Sequence, residues 1–302
     1  MDANFVAVTI NSAIRSSTPI MMAALGSAIC NRAGVFNVAL EGQMLIGAFC
    51  AIAVNWFTQS IILSVLGGIL AGGAVGALVG ILQVRYKAAD LVVGTSVNLL
   101  AGALTAILLF ILFGVRGSFK NPALLALPRI EIPILKDIPF VSVLLRNLTV
   151  MDYLAYLTAI GMFVFLFKTI KGYHLISVGI KPDAAESMGL HSQRAQIIAV
   201  VCSGLLCGFG GVSLSMGQVT LFTENMTAGR GFIGMAACNL GRSNPVIIIL
   251  ASLFFGLCDA GAIIAQNTIP SQLTQSVPYI ATVIALIFFS RERVKAKVRL
   301  IP

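Results

Sequence analysis

Polar and ionisable residues lie between or within long apolar stretches of this chain. Arg32, Asn37 and Glu41 separate two of these stretches. Six further polar residues lie within or at the ends of apolar runs, at positions Asn98, Gln218, Asn239, Asp259, Gln266 and Asn267. Apolar surroundings offer such side chains few hydrogen-bond partners, so each is a candidate functional position. The chemistry available to them is hydrogen bonding to a neutral solute, proton transfer, or satisfaction of interrupted backbone.

The segment around Glu41 leaves three interpretations open. Arg32 and Glu41 could form an ion pair, or the Glu41 carboxylate could accept backbone N–H bonds and so hold a broken helix. Glu41 could also carry a proton, and Asp259 is a second candidate for that role. His174 and His191 have no partner at metal-ligand spacing, and the cysteines form no C-x-x-C pair, so the sequence predicts no metal site.

Several catalytic motifs are missing from the sequence. It contains no G-x-x-x-x-G-K-[ST] phosphate loop, no H-E-x-x-H and no nucleophile elbow. Clustered His, Cys or carboxylate residues that could run a reaction are lacking too, which disfavours a membrane-embedded enzyme. We therefore predict no catalytic residue and no ATP site in this chain.

Composition indicates which elements must position the polar residues. Of the 302 residues, 58% are hydrophobic and only 10% are charged, and the mean hydropathy is +0.97. Because soluble domains have about 25% charged residues, we predict an all-α polytopic membrane protein. The net charge of +9 comes from basic residues at the ends of apolar runs, which lipid headgroups and topology explain better than nucleic acid does.

Apolar runs of about twenty residues predict membrane-spanning helices. The runs cover residues 43–58, 61–83, 91–113, 150–168, 196–217, 245–265 and 277–290. Stretches 19–30 and 231–240 are too short to span straight and predict broken spans, while residues 5–14 predict a separate short helix. We expect about eight to ten membrane-embedded helices, including the short broken ones, in a single transmembrane domain over residues 1–302.

Basic residues favour one orientation in the membrane. They cluster just after residue 83, between 168 and 194, at 242 and after 290, and all can lie on one side if 231–240 crosses. The positive-inside rule assigns this side to the cytoplasm. Residues 114–149 then form an outer loop whose four prolines predict irregular structure. This loop could dock an external partner or be a plain connector.

Glycines predict where helices approach closely. Every fourth residue from Gly68 to Gly80 is glycine, and Gly204 and Gly208 repeat the spacing in a later span. Such a stripe lets a neighbouring helix pack backbone against backbone, so we predict a packing role. Near residue 227, a glycine-framed run predicts the start of a short helix, with Thr227 as its cap.

A polar segment, 171–195, connects two predicted spans. A proline near its centre and a glycine seven residues later predict a short helix with a small, smooth face. Another protein could contact this face, although the pattern is equally typical of a solvated loop. The residues predicted to make the contact are Pro182, Ala184, Ala185, Met188 and Gly189.

Three stretches of the sequence resemble one family. VGIKPDAAESMGLHSQRAQ is similar to the cytoplasmic coupling loop of bacterial ABC importer permeases. ALGSAICNRAGVFNVALEGQMLIGAF resembles the N-terminal signature of the nucleoside and simple-sugar branch, and TAGRGFI with the later GRSNP turn resembles a second signature. The resemblance covers about residues 20–290. Its motif residues in this chain are Arg32, Asn37, Glu41, Gly42, Thr227, Gly229, Arg230 and Gly231.

The resemblance implies a permease subunit of an ATP-driven importer, most similar to those for nucleosides and next to those for simple sugars. Segment 171–195 would be the cytoplasmic coupling loop, docked on an ABC ATPase subunit that binds the ATP, so this chain would need no cofactor of its own. A second copy or a homologous permease would complete the core, and an extracytoplasmic substrate-binding protein would deliver the substrate. The implied location is the bacterial cell membrane, crossed several times and in contact with its lipid.

A neutral polyhydroxylated substrate calls for amides, hydroxyls and an aromatic face along its path. The candidates for this path are Asn98, Gln218, Asn225 and Phe232. An ion-coupled secondary transporter is the alternative from another functional class. It would need a proton or ion site at Glu41 or Asp259.

Overall fold

The architecture is a bundle of long helices with one short antiparallel strand pair in the described part of the chain. The computed structural model describes residues 3–129, 148–266, 277 and 280–284. Its helices are α1 (Ala3–Arg32), α2 (Leu40–Thr58), α3 (Ile61–Gly80), α4 (Asp90–Phe113), α5 (Val150–Lys168), α6 (Ile170–Ile180), α7 (Pro182–Ser187), α8 (Ser192–Val212), α9 (Arg230–Leu240) and α10 (Pro245–Ala265). The predicted all-α membrane fold is confirmed.

Six helices within the described ranges are long and apolar enough to cross a membrane. Two of them include π-helical continuations, Ile81–Arg85 after α3 and Ser213–Gln218 after α8. The six are Leu40–Thr58, Ile61–Arg85, Asp90–Phe113, Val150–Lys168, Ser192–Gln218 and Pro245–Ala265. Each overlaps a predicted span, whereas most of the predicted span 277–290 lies outside the described residues.

Helix α9 is short, as the sequence predicts. Its 11 residues extend about 16 Å, roughly half of a hydrocarbon core about 30 Å thick. It is preceded by a non-helical segment, 219–229, that contains strand β2 (Phe222–Thr223). Strand β2 pairs with β1 (Ser118–Phe119) in the described part of the outer loop. The remainder of that predicted loop, residues 130–147, lies outside the described residues.

Helix α1 differs from the prediction. The sequence predicts a separate helix at 5–14 and a broken span at 19–30, but the structure has one continuous helix of 30 residues with Pro19 inside it. Proline lacks the N–H that would bond the carbonyl four residues earlier, which is that of Arg15. The side-chain amide of Gln218 donates to the Arg15 carbonyl at 2.8 Å. This partner satisfies the freed carbonyl, so the helix continues through the proline.

Glycines bring α2, α3 and α8 into backbone contact. A β-carbon added at Gly72 would lie 2.5 Å from the Gly204 carbonyl oxygen and 2.7 Å from the Gly208 Cα. One added at Gly47 of α2 would lie 2.6 Å from the same Gly208 Cα. No side chain fits at these positions, so the packing role predicted for the glycine stripe is confirmed here.

Residues 33–39 separate α1 from α2 without helical structure, although most of them are buried. Asn37 holds this segment in place. Its side-chain amide donates to the Ser203 hydroxyl at 3.0 Å and to Gln43 Oε1 at 3.3 Å, and its carbonyl oxygen accepts the Ala39 N–H at 3.0 Å. A non-helical segment can lie at this depth because protein groups satisfy its polar atoms.

Candidate functional site

Glu41 connects the two non-helical breaks in the bundle. Its Oε1 accepts the backbone N–H of Gly229 at 2.7 Å, and its Oε2 accepts that of Gly231 at 2.6 Å. Both N–H groups lie at the start of α9, whose own N-cap residue supplies no side-chain bond. Of the three interpretations, the geometry supports the one in which the Glu41 carboxylate accepts backbone N–H bonds and holds a broken helix. Because Glu41 also lies in the first turn of α2, it occupies the positive ends of two helices.

The two glycines in this contact have separate structural reasons. Gly229 has a φ of +77°, a left-handed conformation that is costly for other residues. Gly231 has no room for a side chain, since a β-carbon there would lie 2.6 Å from the Glu41 nitrogen and 2.7 Å from its Oε2. The glycine pair around Arg230 therefore permits the carboxylate to reach the helix end.

Asn98 of α4 supports the same junction from the other side. Its Oδ1 accepts the Gly42 N–H at 2.8 Å, and its Nδ2 donates to the Val38 carbonyl at 3.0 Å. Both partners belong to the start of α2 and the break before it. Asn98 thus caps α2 in the way that Glu41 caps α9, each from a distant part of the sequence.

Thr227 does not act as the predicted cap. The N-cap position of α9 belongs to Gly229, two residues later, and it makes no side-chain hydrogen bond. Thr227 is fully buried, and its hydroxyl has no partner among the described residues. The cap prediction was wrong because the acceptor for the first N–H groups of α9 is Glu41, which a local sequence pattern around residue 227 does not include.

Arg32 binds the turn between α9 and α10 instead of pairing with Glu41. Its guanidinium donates to the carbonyls of Arg242 at 3.2 Å and Ser243 at 3.3 Å, and its Cζ lies 5.2 Å from the centroid of the Phe167 ring. Arg242 and Ser243 both have positive φ values, +51° and +54°. The two acceptor carbonyls therefore belong to an unusual turn that Arg32 holds against α1.

Arg230 and Asp259 form an ion pair between α9 and α10. The guanidinium nitrogen and the Oδ2 lie 3.1 Å apart, and each side chain is 17% exposed. This pair is not predictable from sequence spacing, since residues on different helices share no common period. The sequence does show that Arg230 and Asp259 are ionisable residues within or beside apolar stretches. An unpaired charge is costly there, so each residue needs a partner.

A cavity of about 970 Å³ opens beside the Glu41 junction. It brings together three of the four predicted path residues, Asn98, Asn225 and Phe232, while the fourth, Gln218, bonds Arg15 elsewhere. The other residues around the cavity are Glu41, Thr95, Leu99, Ala228, Gly229, Arg230, Ile233, Asp259, Ala262, Ile263 and Gln266.

The cavity wall combines several kinds of chemistry. Amide, hydroxyl and charged groups share it with the ring of Phe232 and with aliphatic side chains. Such a mixture can hydrogen-bond the polar groups of a small solute while covering its apolar surface. Within the described residues, no group of three or more His, Cys, Asp or Glu side chains could hold a metal ion.

The predicted coupling segment, 171–195, contains most of α6, the short helix α7 and the start of α8. Pro182 begins α7, and Gly189 follows it with a φ of +85°. Met188 is 83% exposed. Ala184 is exposed as well. Ala185, by contrast, is only 3% exposed, so the prediction that it shares the outward face was wrong. Successive residues of an α-helix point about 100° apart, so Ala185 can be buried although Ala184 beside it is exposed.

Several known proteins are similar to this chain over most of its length. The nucleoside ABC transporter permease protein NupC of Lactococcus lactis is 31% identical over 97% of this chain and 96% of its own length. The guanosine ABC transporter permease protein NupQ of Bacillus subtilis is 31% identical over 90% of this chain and 89% of its own. A putative glucose ABC transporter permease protein of Haloferax volcanii is 30% identical over 87% and 79%.

The sequence also matches a family described as branched-chain amino acid transport system / permease component, over residues 9–286. No solved structure matches the chain significantly. The match covers every described helix from the second turn of α1 to the end of α10. The chain therefore belongs to this family of ABC transporter permeases and is a multi-pass protein of the cell membrane.

Proposed function

We propose that this chain is the permease subunit of an ATP-driven nucleoside importer. The observation that carries the proposal is the cavity beside Glu41, which Asn98, Asn225 and Phe232 line together. A nucleoside has a polyhydroxylated sugar and a flat aromatic base, which amides and an aromatic side chain can bind together. Two relatives that match almost the whole chain carry nucleoside or guanosine in their names.

The substrate path in this proposal runs past the ends of α2 and α9. The N-terminal ends of the long helix α2 and the short helix α9 meet at one point, and Glu41 neutralises both of them. Transport would then change the distance between these ends rather than deform either helix. The Arg230–Asp259 pair would link the movement of α9 to α10.

Energy for transport would come from a partner protein. The sequence has no phosphate-binding loop, so ATP would bind to an ABC ATPase subunit docked on α7 and the residues that follow it. The exposed Met188 and Ala184 would enter the ATPase surface, while the buried Ala185 would transmit the movement to the bundle. A second permease and an extracytoplasmic binding protein would complete the importer.

A simple-sugar importer is the second candidate. It is favoured by the 30% identity to a putative glucose permease, which is nearly as high as the identity to the nucleoside permeases. A sugar without a base would use the amides of the cavity but not the aromatic ring. The two candidates therefore differ in what they require of Phe232.

Uptake of labelled guanosine and adenosine by cells with and without the gene tests the proposal. Competition by excess uridine and, separately, by ribose distinguishes the substrate classes. We expect deletion to abolish nucleoside uptake and ribose not to compete. Normal nucleoside uptake with a sugar defect would establish the second candidate instead.

A matched pair of variants makes this test specific for the cavity. Phe232 and Phe254 are 42% and 45% exposed, but only Phe232 lies in the cavity wall. We expect Phe232→Ala to raise the KM for nucleoside uptake about five-fold through loss of aromatic contact. Phe254→Ala should leave the KM unchanged. Equal effects of the two substitutions would contradict a base-binding role for Phe232.

A further inference from the structure

A second cavity, of about 630 Å³, lies on another side of the bundle, where α5, α6, α8 and the end of α1 meet. Its wall is almost entirely apolar. The apolar residues that line it include Ile29, Met162, Phe165, Leu175, Ile198 and Leu206. Neither the predicted substrate path nor the exposed face of α7 uses this cleft.

The polar groups of the cleft are concentrated in the coupling segment, at one end. Lys171 and His174 come from α6, and His191 immediately precedes α8; all three are exposed. No carboxylate is among the described residues that line the cleft. Glu186 lines an adjoining polar groove, which the cleft joins at Leu190 and His191. The mouth of the cleft is thus suited to a negatively charged group.

The length of the cleft fits a lipid tail. Along α8 it extends from His191 to Leu206, which is about 22 Å at 1.5 Å per residue. One leaflet contributes about 15 Å of hydrocarbon, so an acyl chain whose headgroup lies beside His191 can remain in the cleft over its whole length. The charged end belongs to the side that the positive-inside rule assigns to the cytoplasm.

We propose that this cleft binds an anionic phospholipid of the cytoplasmic leaflet. The acyl chain occupies the apolar part, and the phosphate contacts Lys171 with the imidazole N–H groups of His174 and His191 as further donors. The backbone N–H groups at the start of α8 add positive character to the mouth. The headgroup then lies next to the coupling segment, between α6 and α8.

Native mass spectrometry tests the proposal. The purified chain is incubated with equal amounts of phosphatidylglycerol and phosphatidylcholine, and the lipid that it retains is measured. We expect the protein to retain phosphatidylglycerol several-fold more than phosphatidylcholine. Lys171→Gln should reduce that preference about five-fold, the effect of one lysine near an anionic surface. Lys168→Gln is the matched control, because Lys168 is exposed at the same end of the bundle but does not line the cleft.

A second pair of variants tests the acyl-chain part. Gly161 lines the cleft, and a β-carbon added there meets no other part of the bundle within 4 Å, so Gly161→Phe is the variant chosen to fill the cleft. It should abolish retention of both lipids, whereas Gly102→Phe, at an equally open glycine outside the cleft, should not. Equal retention of the two lipids by the unaltered chain would overturn the proposal. Unchanged retention in both Lys171→Gln and Gly161→Phe would do so too.

Discussion

The carboxylate Oε2 of Glu41 lies 2.6 Å from the backbone nitrogen of Gly231, although 190 residues separate them in sequence. This contact closes the end of a helix that begins within the membrane. The acceptor comes from a distant part of the sequence because the N-cap residue of α9, Gly229, has no side chain to supply one. The Glu41 side chain thereby fixes the start of α9 relative to the start of α2.

Substitution Glu41→Gln should destabilise the fold without changing how transport depends on pH. The amide keeps one oxygen acceptor but places an NH₂ group against the second backbone N–H, leaving that donor unsatisfied. Loss of a charge-assisted bond at a buried site costs about 2 kcal/mol. We expect a lower melting temperature in detergent and weaker uptake, with the pH profile of uptake unaltered.

Glu224→Gln is the control for this substitution. Glu224 also accepts a backbone N–H bond, from Gly117 at 2.8 Å, but this contact is exposed. Its loss should have little effect on the melting temperature, because water can replace the acceptor. A displaced pH profile in Glu41→Gln would instead support a proton role for Glu41 and an ion-coupled mechanism.

Substitution Gly231→Ala should disrupt the same contact by changing the residue that donates the hydrogen bond to Glu41. The added methyl group would lie 2.6 Å from the Glu41 nitrogen and 2.8 Å from its Cα, so backbone would have to move. Overpacking of this kind costs about 1–3 kcal/mol. We expect a lower yield of folded protein by gel filtration and a lower melting temperature.

Gly161→Ala provides the comparison for that experiment. Both glycines are helical, but the β-carbon at position 161 meets open space. The alanine there should be neutral or slightly stabilising, since it raises helix propensity. If both substitutions had the same effect, general intolerance of side chains would explain the result, and the close contact with Glu41 would not be responsible.

The long helices could be predicted from sequence because their signal is local. Runs of twenty apolar residues define α2, α3, α4, α5, α8 and α10, and the structure has a helix over each. Helix α1 was predicted as two pieces because its apolar stretches, 5–14 and 19–30, are each too short to span. A proline normally interrupts a helix, and nothing near position 19 shows that the amide of Gln218 will satisfy the freed carbonyl.

The candidate site was predictable in its residues but not in its contacts. Glu41, Asn98 and Arg230 are conspicuous because polar groups are rare in apolar runs. Their partners lie on other helices, and no spacing in a single sequence reveals which helices are neighbours. The sequence therefore indicated that Glu41 could accept backbone N–H bonds without indicating that the donors belong to α9.

The Arg230–Asp259 ion pair should behave as a unit in a double-mutant cycle. Removing one partner leaves the other charge in a largely buried position, which costs several kcal/mol. We expect Arg230→Gln and Asp259→Asn each to lower the melting temperature strongly, and the double variant to recover much of the loss. Thermal unfolding of the four proteins in detergent measures the coupling. Purely additive effects would show that the two side chains contribute independently.

The exposed face of the coupling segment should be required for binding the ATPase but not for folding. Met188 is 83% exposed at the end of α7, so Met188→Asp places a charge where an apolar contact is expected, without burying it in this chain. Co-purification of the tagged permease with its ATPase should fall by at least ten-fold, as expected when a hot-spot side chain worth about 1.4 kcal/mol or more is lost. The melting temperature of the isolated permease should remain unchanged.

Tyr86→Asp is the control, since Tyr86 is 69% exposed on a different turn. Full retention of the ATPase by Met188→Asp, with uptake intact, would show that the segment around α7 is not the coupling surface.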